Sequence, residues 1–260
     1  MQRRHSDPEQ YFREQASTTA RHVLPFVERV RPLTGEMTVA EIGCGGGGNM
    51  LPLLEAGCTV YGIDVNSRAI SLAEQSFAGH PARERLTLIA SDIYDVDPTS
   101  LPPFDLIIMR DVLEHIHDQE RFIGHLYRFV KPGGGVFIAF PPFMMPFAGH
   151  QQMCEGPAGR LPYLHLLPRK LYALTLRMFG ETRGRIEGLL EIKDTRLHLW
   201  RFHRIVRRSP FRVAREELWL VNPNYEVKFG LRPRRLPKAL NIPWMREFFV
   251  TTCYVFLTRQ

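Results

Sequence analysis

The sequence predicts an α/β fold in which a mostly parallel sheet is covered by helices on both faces. Short apolar segments alternate with helical segments between residues 38 and 140, which is typical of a parallel sheet with both faces buried. The first apolar segment runs into residues 41–48, Glu-Ile-Gly-Cys-Gly-Gly-Gly-Gly. A strand that turns through glycines into a helix is a nucleotide-binding device, because the backbone can approach a ligand closely there.

The elements of the first 140 residues follow from periodicity and capping. An N-terminal helix begins after Asp7, an N-cap residue ahead of Pro8, and runs to about residue 30, with a kink or an early end expected at Pro25. The last helix of this part should stop at the Lys-Pro-Gly-Gly of residues 131–134. We predict strands at 38–42, 59–64, 86–90, 104–109 and 136–140, and helices at 49–55, 67–77 and 118–130.

The remaining 120 residues do not continue the alternation of strands and helices. Residues 141–166 are rich in proline and read as a loop, and they are followed by predicted helices at 168–179 and 197–208. Two final strands are predicted at 211–221 and 248–257. At 260 residues and 44% hydrophobic composition, the chain is expected to form one decorated domain.

Composition points to the cytoplasm. The sequence contains no run of about 18 apolar residues, so no membrane span is expected. The basic start at residues 1–4 is not followed by an apolar stretch, which argues against a secretory signal. The four cysteines show no paired spacing and are expected to be free thiols in a reducing compartment: Cys44, Cys58, Cys154 and Cys253.

The net charge of +7 is unevenly distributed along the chain. Residues 1–159 hold 13 basic and 19 acidic residues, whereas residues 160–260 hold 21 basic and 8 acidic residues. This split predicts two surfaces with different tasks. The basic half suits an anionic acceptor or at most a peripheral contact with a membrane, and no RNA-binding module is recognisable in it.

The glycine segment allows two interpretations. It satisfies the GxGxxG pattern with Asp64 about 20 residues further on, which would suit a dinucleotide and an NAD(P)-dependent oxidoreductase. However, Glu41 lies two residues before Gly43 and would repel a pyrophosphate, whereas a cationic ammonium would be attracted. Asp64 can bind ribose hydroxyls, Asp92 can accept a hydrogen bond from an exocyclic amine, and Ile93 can pack on the ring. These acids follow strand ends, where open α/β sheets bind ligands.

Five motifs in this order resemble the class I S-adenosylmethionine-dependent methyltransferases. They are Glu-Ile-Gly-Cys-Gly at 41–45, Gly-Ile-Asp at 62–64, Ser-Asp-Ile at 91–93, the strand 104–108 that leads to Asp-Val-Leu-Glu-His-Ile at 111–116, and Val-Lys-Pro-Gly-Gly at 130–134. The resemblance covers residues 36–141. It implies a Rossmann-like three-layer sandwich with a seven-stranded sheet, an antiparallel last strand and a cap inserted after strand five.

The same resemblance implies roles for individual residues and segments. The cofactor S-adenosyl-L-methionine would be bound by Glu41, Gly43, Gly45, Gly47, Asp64, Asp92, Ile93 and Arg110. Arg110 departs from the aliphatic or small polar residue usual there and would lie beside the sulfonium or face the acceptor. The single domain would comprise an N-terminal helical segment (1–35), a cofactor-binding core (36–141), a cap over the acceptor (142–208) and closing strands (209–260).

Two histidines are the candidate catalytic residues. Methyl transfer is an in-line displacement that depends on alignment, and a hydroxyl acceptor also needs a base. His150 follows strand five on the expected active-site side and is the first candidate, with a structural loop histidine as the alternative. His115 follows strand four, with a hinge or packing role as its alternative. His115 and His117 have no acid or cysteine at ligand spacing, so no metal site is expected.

These observations predict a cytoplasmic methyltransferase that uses S-adenosyl-L-methionine. Its acceptor would be an oxygen or nitrogen of a small or glycan-like molecule that carries phosphate or carboxylate. The first alternative is a catalytically inactive regulatory protein of the same fold that binds the cofactor. The second is an NAD(P)-dependent oxidoreductase. No specific nucleic acid is expected as a partner.

Overall fold

The computed structural model describes residues 7–148 and 150–259. The predicted N-terminal segment, cap and closing segment therefore include residues outside the described part, namely residues 1–6, Gly149 and Gln260. The strands are β1 (Thr38–Ile42), β2 (Thr59–Asp64), β3 (Leu86–Ala90), β4 (Phe104–Arg110), β5 (Val130–Phe140), β6 (Phe211–Val221), β7 (Arg234–Arg235) and β8 (Thr252–Arg259). The helices are α1 (Pro8–Thr18), α2 (Leu24–Glu28), α3 (Leu51–Glu55), α4 (Ser67–Phe77), α5 (Gln119–Leu126), α6 (Arg169–Met178), α7 (Arg183–Thr195), α8 (Leu199–Arg208) and α9 (Asn224–Phe229).

All eight strands form one sheet in the order β3-β2-β1-β4-β5-β8-β6-β7. The first five strands pair in parallel, and β8 runs antiparallel between β5 and β6. The Rossmann-like sandwich with an antiparallel last strand is therefore confirmed. The sheet has one strand more than the seven predicted, because the two-residue β7 pairs with β6 at its edge.

Both faces of the sheet are buried, as the apolar strands predict. Along β4, Ile107 and Met109 belong to the core cluster under α5 and α8, whereas Leu106 and Ile108 belong to the cluster under α2, α3 and α4. All four side chains are fully buried. Successive side chains of a strand point to opposite faces, so continuous apolar sequence is what a sheet covered on both sides requires.

The N-terminal helix begins and bends where its sequence indicates. Asp7 accepts a hydrogen bond from the backbone amide of Gln10 at 3.0 Å, which satisfies one of the unpaired donors at the helix start. A π-helical turn at Thr19–Val23 separates α1 from α2, just ahead of Pro25. Because proline has no amide hydrogen to continue the ladder, the register shifts before it and the helix ends at Glu28.

Three boundaries differ from the prediction by four residues or more. The helix predicted to reach residue 130 ends at Leu126, and Val130 already pairs with Phe104 as the first residue of β5. The Lys-Pro-Gly-Gly segment therefore lies within a strand that carries a register shift instead of ending a helix. The last strand begins at Thr252, and residues 246–248 form a 3-10 turn.

The segment between β5 and β6 contains a small core of its own. It is built on α6, α7 and the preceding turns, and its buried members are Cys154, Ala158, Tyr172, Leu176, Ile186, Leu189 and Leu190. Helix α7 was not predicted. None of the helices in the described part of the chain has the length and apolar character that a membrane crossing needs.

Candidate functional site

The glycine segment forms a sharp turn between β1 and α3. Gly43, Gly45 and Gly47 have φ angles of 71°, 53° and 88°, in the left-handed region that favours glycine. A Cβ on Gly43 would lie 2.4 Å from Cγ2 of Val112. The amide of Gly43 donates to the carbonyl of Ile63 at 2.8 Å, which ties the turn to the end of β2. The sequence therefore needs glycine at position 43 for two reasons, conformation and space.

Asp64 joins this turn to the next helix. Its Oδ2 accepts a hydrogen bond from the amide of Gly45, and its Oδ1 accepts one from the amide of Asn66, both at 2.8 Å. Asn66 in turn caps α4 by accepting bonds from the amides of Arg68 and Ala69. Each carboxylate oxygen can accept a second bond, so Asp64 can hold the turn and still bind a ligand hydroxyl.

A first cavity of about 310 Å³ lies at the carboxyl ends of β1, β2, β3 and β4. Four of the predicted cofactor residues line it: Gly43, Asp64, Asp92 and Ile93. Its other lining residues are mostly apolar and include Ile42, Ile63, Val65, Tyr94, Val112, Ile116 and Phe122. A flat, apolar slot with acids at its rim suits a nucleoside, because the ring packs while the polar edge and the hydroxyls find acceptors.

Glu41 and Arg110 meet through Asn49 beneath the glycine turn. The Nδ2 of Asn49 donates to Oε1 of Glu41 at 2.5 Å, and Nη1 of Arg110 donates to Oδ1 of Asn49 at 2.5 Å. Arg110 also donates to Oγ1 of Thr19 at 3.1 Å. Burial raises the pKa of Glu41 to about 8, against the lowering effects of Asn49 and Arg110. The Oε2 atom of Glu41 is buried and has no hydrogen-bond partner in the described part of the chain.

A second cavity of about 300 Å³ adjoins the first. The two share Gly43, Asp111 and His115. The second cavity is more polar and is built from distant parts of the chain. Its lining comprises Tyr11 and Gln15 from α1, Arg110 at the end of β4, Glu114 after β4, then Pro141, Met145, Phe147, Ala148, His150 and Met153 after β5, and finally Asn222, Asn224, Tyr225, Lys228 and Thr251. Two adjoining compartments, one nucleoside-sized and one polar, are what a group transfer between two molecules requires.

The two candidate catalytic histidines lie side by side at this second cavity. The ring centroids of His115 and His150 are 4.8 Å apart. His115 is exposed toward the cavity, yet the surrounding protein desolvates it and lowers its pKa. Asp111 and His150 both have left-handed backbones, with φ angles of 55° and 57°. Such backbones in non-glycine residues cost about 1–3 kcal/mol and cluster at functional sites.

The sequence interpretation did not single out Glu114, which lies beneath these histidines. Its side chain is 4% exposed, and both carboxylate oxygens are buried without a hydrogen-bond partner in the described part of the chain. Burial and the neighbouring Asp111 raise its pKa well above the usual range. One ligand atom each from Glu114, His115 and His150 lies within 4.8 Å of the other two. The sequence predicts no metal site from the spacing around His115 and His117. The fold, however, brings His150 close to Glu114 and His115, although it is far from them along the chain.

The basic half of the chain contributes one lysine to the second cavity. Lys228 lines it from α9. Thr18 of α1 donates a hydrogen bond to Asn224 at 3.3 Å, and Arg21 of the following π-helical turn forms an ion pair with Glu226 at 2.7 Å, so the N-terminal helical segment holds α9 in place. Arg235 instead pairs with Glu217 at 2.8 Å at the edge of the sheet. The excess of bases in residues 160–260 is therefore spread over several surfaces, and sequence alone did not point to Lys228.

A third hollow of about 450 Å³ extends from the histidines toward α7. It shares His115, His150 and Met153 with the second cavity, and α7 supplies Gly188, Leu189 and Ile192 to its wall. We call it the α7 hollow. Its largely apolar lining can accommodate a part of a ligand that the polar second cavity does not suit.

Residues 40–136 match the family model described as a methyltransferase domain. The mitochondrial ubiquinone biosynthesis O-methyltransferase of Mus musculus is 33% identical over 109 residues, which are 42% of this chain and 29% of that protein. The ubiquinone biosynthesis O-methyltransferase of Rhizobium leguminosarum bv. trifolii is 34% identical over 110 residues, which are 42% of each protein. The match thus spans less than half the length of these relatives.

Solved structures share the fold over nearly the whole chain. Geranyl diphosphate C-methyltransferase from Streptomyces coelicolor A3(2), solved with S-adenosyl-L-homocysteine, has a TM-score of 0.60 at 11% identity and covers 94% of this chain and 76% of its own. Magnesium protoporphyrin IX methyltransferase from Synechocystis PCC 6803, also solved with S-adenosylhomocysteine, has a TM-score of 0.55 at 16% identity and covers 95% and 84%. At these identities, the likeness establishes the fold.

Proposed function

Residues 40–136 belong to the class I S-adenosylmethionine-dependent methyltransferase family, and from this premise we propose that the protein is an S-adenosyl-L-methionine-dependent methyltransferase. Its acceptor is an oxygen or nitrogen of a small or glycan-like molecule that bears phosphate or carboxylate. The observation that carries the proposal is the pair of adjoining cavities that share Gly43, Asp111 and His115. A methyl group can pass between two molecules only where their compartments meet.

The first cavity suits the adenosine part of the cofactor. In this proposal Asp64 accepts bonds from the ribose hydroxyls, Asp92 accepts one from the exocyclic amine, and Ile93 packs on the adenine ring; all three residues line the cavity. Gly43 lines both cavities and Gly45 lines the second, so in this proposal the methionine part passes along the glycine turn toward the second cavity. Glu41 lies buried beneath this turn and is bonded to Asn49, so its part in the proposal is to support the turn.

The second cavity suits the methyl acceptor. When bound, S-adenosyl-L-methionine supplies an electrophilic methyl group with a neutral thioether as the leaving group. The chain itself binds and aligns the acceptor, and alignment can supply much of the rate of such a displacement. His115 and His150 are the groups in position to promote loss of a proton from an acceptor hydroxyl.

Lys228 supports an acceptor with an anionic group. Its ammonium group lines the second cavity together with Asn222, Asn224 and Tyr225, which are hydrogen-bonding groups suited to a phosphate or carboxylate. Arg110 lines the same cavity and is bonded to Asn49 and Thr19, so it adds positive charge from a fixed position. We place the protein in the cytoplasm, a reducing compartment in which all four buried cysteines stay free.

The decisive experiment compares ligands. S-adenosylhomocysteine should raise the melting temperature, because a ligand selective for the folded state stabilises it, and NAD should not. Incubation with labelled S-adenosyl-L-methionine and fractions of a cell extract should then transfer label to a small acceptor. Stabilisation by NAD and not by the adenosyl compound would favour an oxidoreductase instead. Binding without transfer in any fraction would favour a regulatory protein.

A further inference from the structure

We propose that Glu114, His115 and His150 bind a divalent first-row transition-metal ion at the wall of the second cavity. The three residues come from two segments, the turn after β4 and the loop after β5, which lie next to each other because β4 and β5 are paired. One ligand atom from each residue lies within 4.8 Å of the others. This separation allows one ion to contact all three after small side-chain movements, because metal–ligand bonds are about 2.0–2.2 Å long.

The buried carboxylate is the observation that points to a ligand. Glu114 is 4% exposed, and neither of its oxygens has a hydrogen-bond partner in the described part of the chain. A buried polar group without a partner costs free energy, and buried charges are normally paired or coordinated to a metal. A cation between Glu114 and the two imidazoles would give both carboxylate oxygens a partner.

The surrounding charges favour a cation at this place. Asp111 and Glu191 both act on His115 as neighbouring negative charges, and Asp111 acts on Glu114 in the same way. Like charges close together destabilise one another unless a cation lies between them. Lys228 and Arg110 also line the second cavity, but the charges that act on Glu114 and His115 are the negative ones of Asp111 and Glu191.

The donor set selects the class of metal. Two imidazole nitrogens and one carboxylate suit zinc, cobalt, manganese or iron, whereas magnesium and calcium prefer oxygen ligands alone. Three protein ligands leave coordination positions open, as in catalytic sites. His115 and His150 line both the second cavity and the α7 hollow, so the open positions would face a ligand in either.

The role of the ion in catalysis rests on the proposed function, whereas its binding does not. A divalent cation lowers the pKa of a hydroxyl that coordinates it. The acceptor proton would then leave to solvent, the new O–CH₃ bond would form, and the S–CH₃ bond would break with its electron pair remaining on sulfur. No oxidant or reductant is needed.

The test begins with protein that has been stripped with a chelator and titrated with Zn²⁺ or Co²⁺. We expect one ion per chain, with visible Co²⁺ absorption that reports nitrogen and oxygen ligands. Glu114→Gln, His115→Ala and His150→Ala should each weaken binding at least about 100-fold, since even outer partners of a metal site contribute 10- to 100-fold. His203→Ala is the matched control, because His203 is hydrogen-bonded to Glu216 outside the cavity and should leave the affinity unchanged.

Separate control experiments test the folding of the variants and the proposed function. Without metal, Glu114→Gln should fold and be at least as stable as the original chain, because it removes a buried carboxylate. Absence of stoichiometric binding, or binding that Glu114→Gln leaves unchanged, would overturn the proposal. S-adenosylhomocysteine binding is measured on the same samples. If the protein binds S-adenosylhomocysteine but no metal ion, only the metal site is refuted. If it binds the metal ion but not S-adenosylhomocysteine, only the proposed function is refuted.

Discussion

The amide of Gly45 donates a 2.8 Å hydrogen bond to Oδ2 of Asp64. This bond links the glycine turn after β1 to Asp64, the last residue of β2. The other oxygen of the same carboxylate accepts a hydrogen bond from the amide of Asn66, the residue that caps α4. One side chain thus bonds both the glycine turn and the start of α4, and it also lines the first cavity. Structural and ligand-binding roles are combined in Asp64, and mutation should affect both.

Asp64→Ala should weaken binding of S-adenosylhomocysteine at least about tenfold and lower the free energy of unfolding by about 1–3 kcal/mol. The physical reason is the loss of two bonds to backbone amides in addition to those with the ribose. Thermal unfolding with and without the ligand measures both effects. Asp97→Ala is the control, because Asp97 makes similar local bonds to Thr99 on an exposed turn outside the cavities. An unchanged ligand-induced shift in Asp64→Ala would contradict the assignment.

Gly43→Ala should abolish binding of S-adenosylhomocysteine and destabilise the fold by at least about 1–2 kcal/mol, which is the cost of a left-handed backbone for a residue with a Cβ. A further cost arises because that Cβ would lie 2.4 Å from Val112. Gly46→Ala is the matched control, since its Cβ meets no atom within 4 Å and its φ is not left-handed. Denaturant unfolding of both variants should separate them clearly, and equal stabilities would show that the turn is not constrained.

Glu41 should give the free energy of unfolding a distinctive pH dependence. Its pKa is about 8 in the folded protein and 4.5 for an unperturbed glutamate. Between these values the folded state keeps a proton that the unfolded chain releases, so stability falls as the pH rises from about 4.5 to 8 and then levels off. Glu41→Gln should remove this part of the slope. Denaturant unfolding over that range measures the difference, and parallel profiles of the two proteins would contradict the raised pKa.

His150→Ala should lower turnover at least about 100-fold while leaving the affinity for S-adenosylhomocysteine nearly unchanged. The reason is position: His150 lines the second cavity and the α7 hollow but not the first cavity. Turnover is measured with labelled cofactor and the extract fraction that contains the acceptor, with His203→Ala as the control. Equal activity of His150→Ala and the original chain between about pH 6 and 9 would reduce His150 to a structural role.

Lys228→Gln should lower the apparent second-order rate with an anionic acceptor about tenfold, because it removes a bond to a charged group worth about 1.5 kcal/mol. The same rate should fall as salt rises in the original chain and fall less in the variant, since long-range attraction is screened over about 8 Å in physiological salt. Arg212→Gln, which removes an exposed charge from β6 outside the second cavity, is the control. A rate that does not depend on salt would indicate a neutral acceptor.

The sequence by itself determined the parallel half of the sheet and much of the lining of the first cavity. The bounds of β1, β2, β3 and α4 agree with the prediction, and Gly43, Asp64, Asp92 and Ile93 line one cavity as their positions after strand ends suggest. These features follow from local sequence: apolar runs, an N-cap and glycines. In a parallel sheet, the ends of successive strands meet at one edge whatever the rest of the chain does.

Only the tertiary structure decided the second cavity and the segment between β5 and β6. Helix α7, whose sequence contains Gly184 and Gly188, forms because Ile186, Leu189 and Leu190 complete the core of the cap. Val130 joins β5 instead of α5 because Phe104 offers it a strand to pair with. The second cavity brings α1 together with α9, more than 200 residues apart, and Glu114 with His150. Periodicity describes one element at a time, whereas these contacts depend on how separate elements pack, which no local pattern encodes.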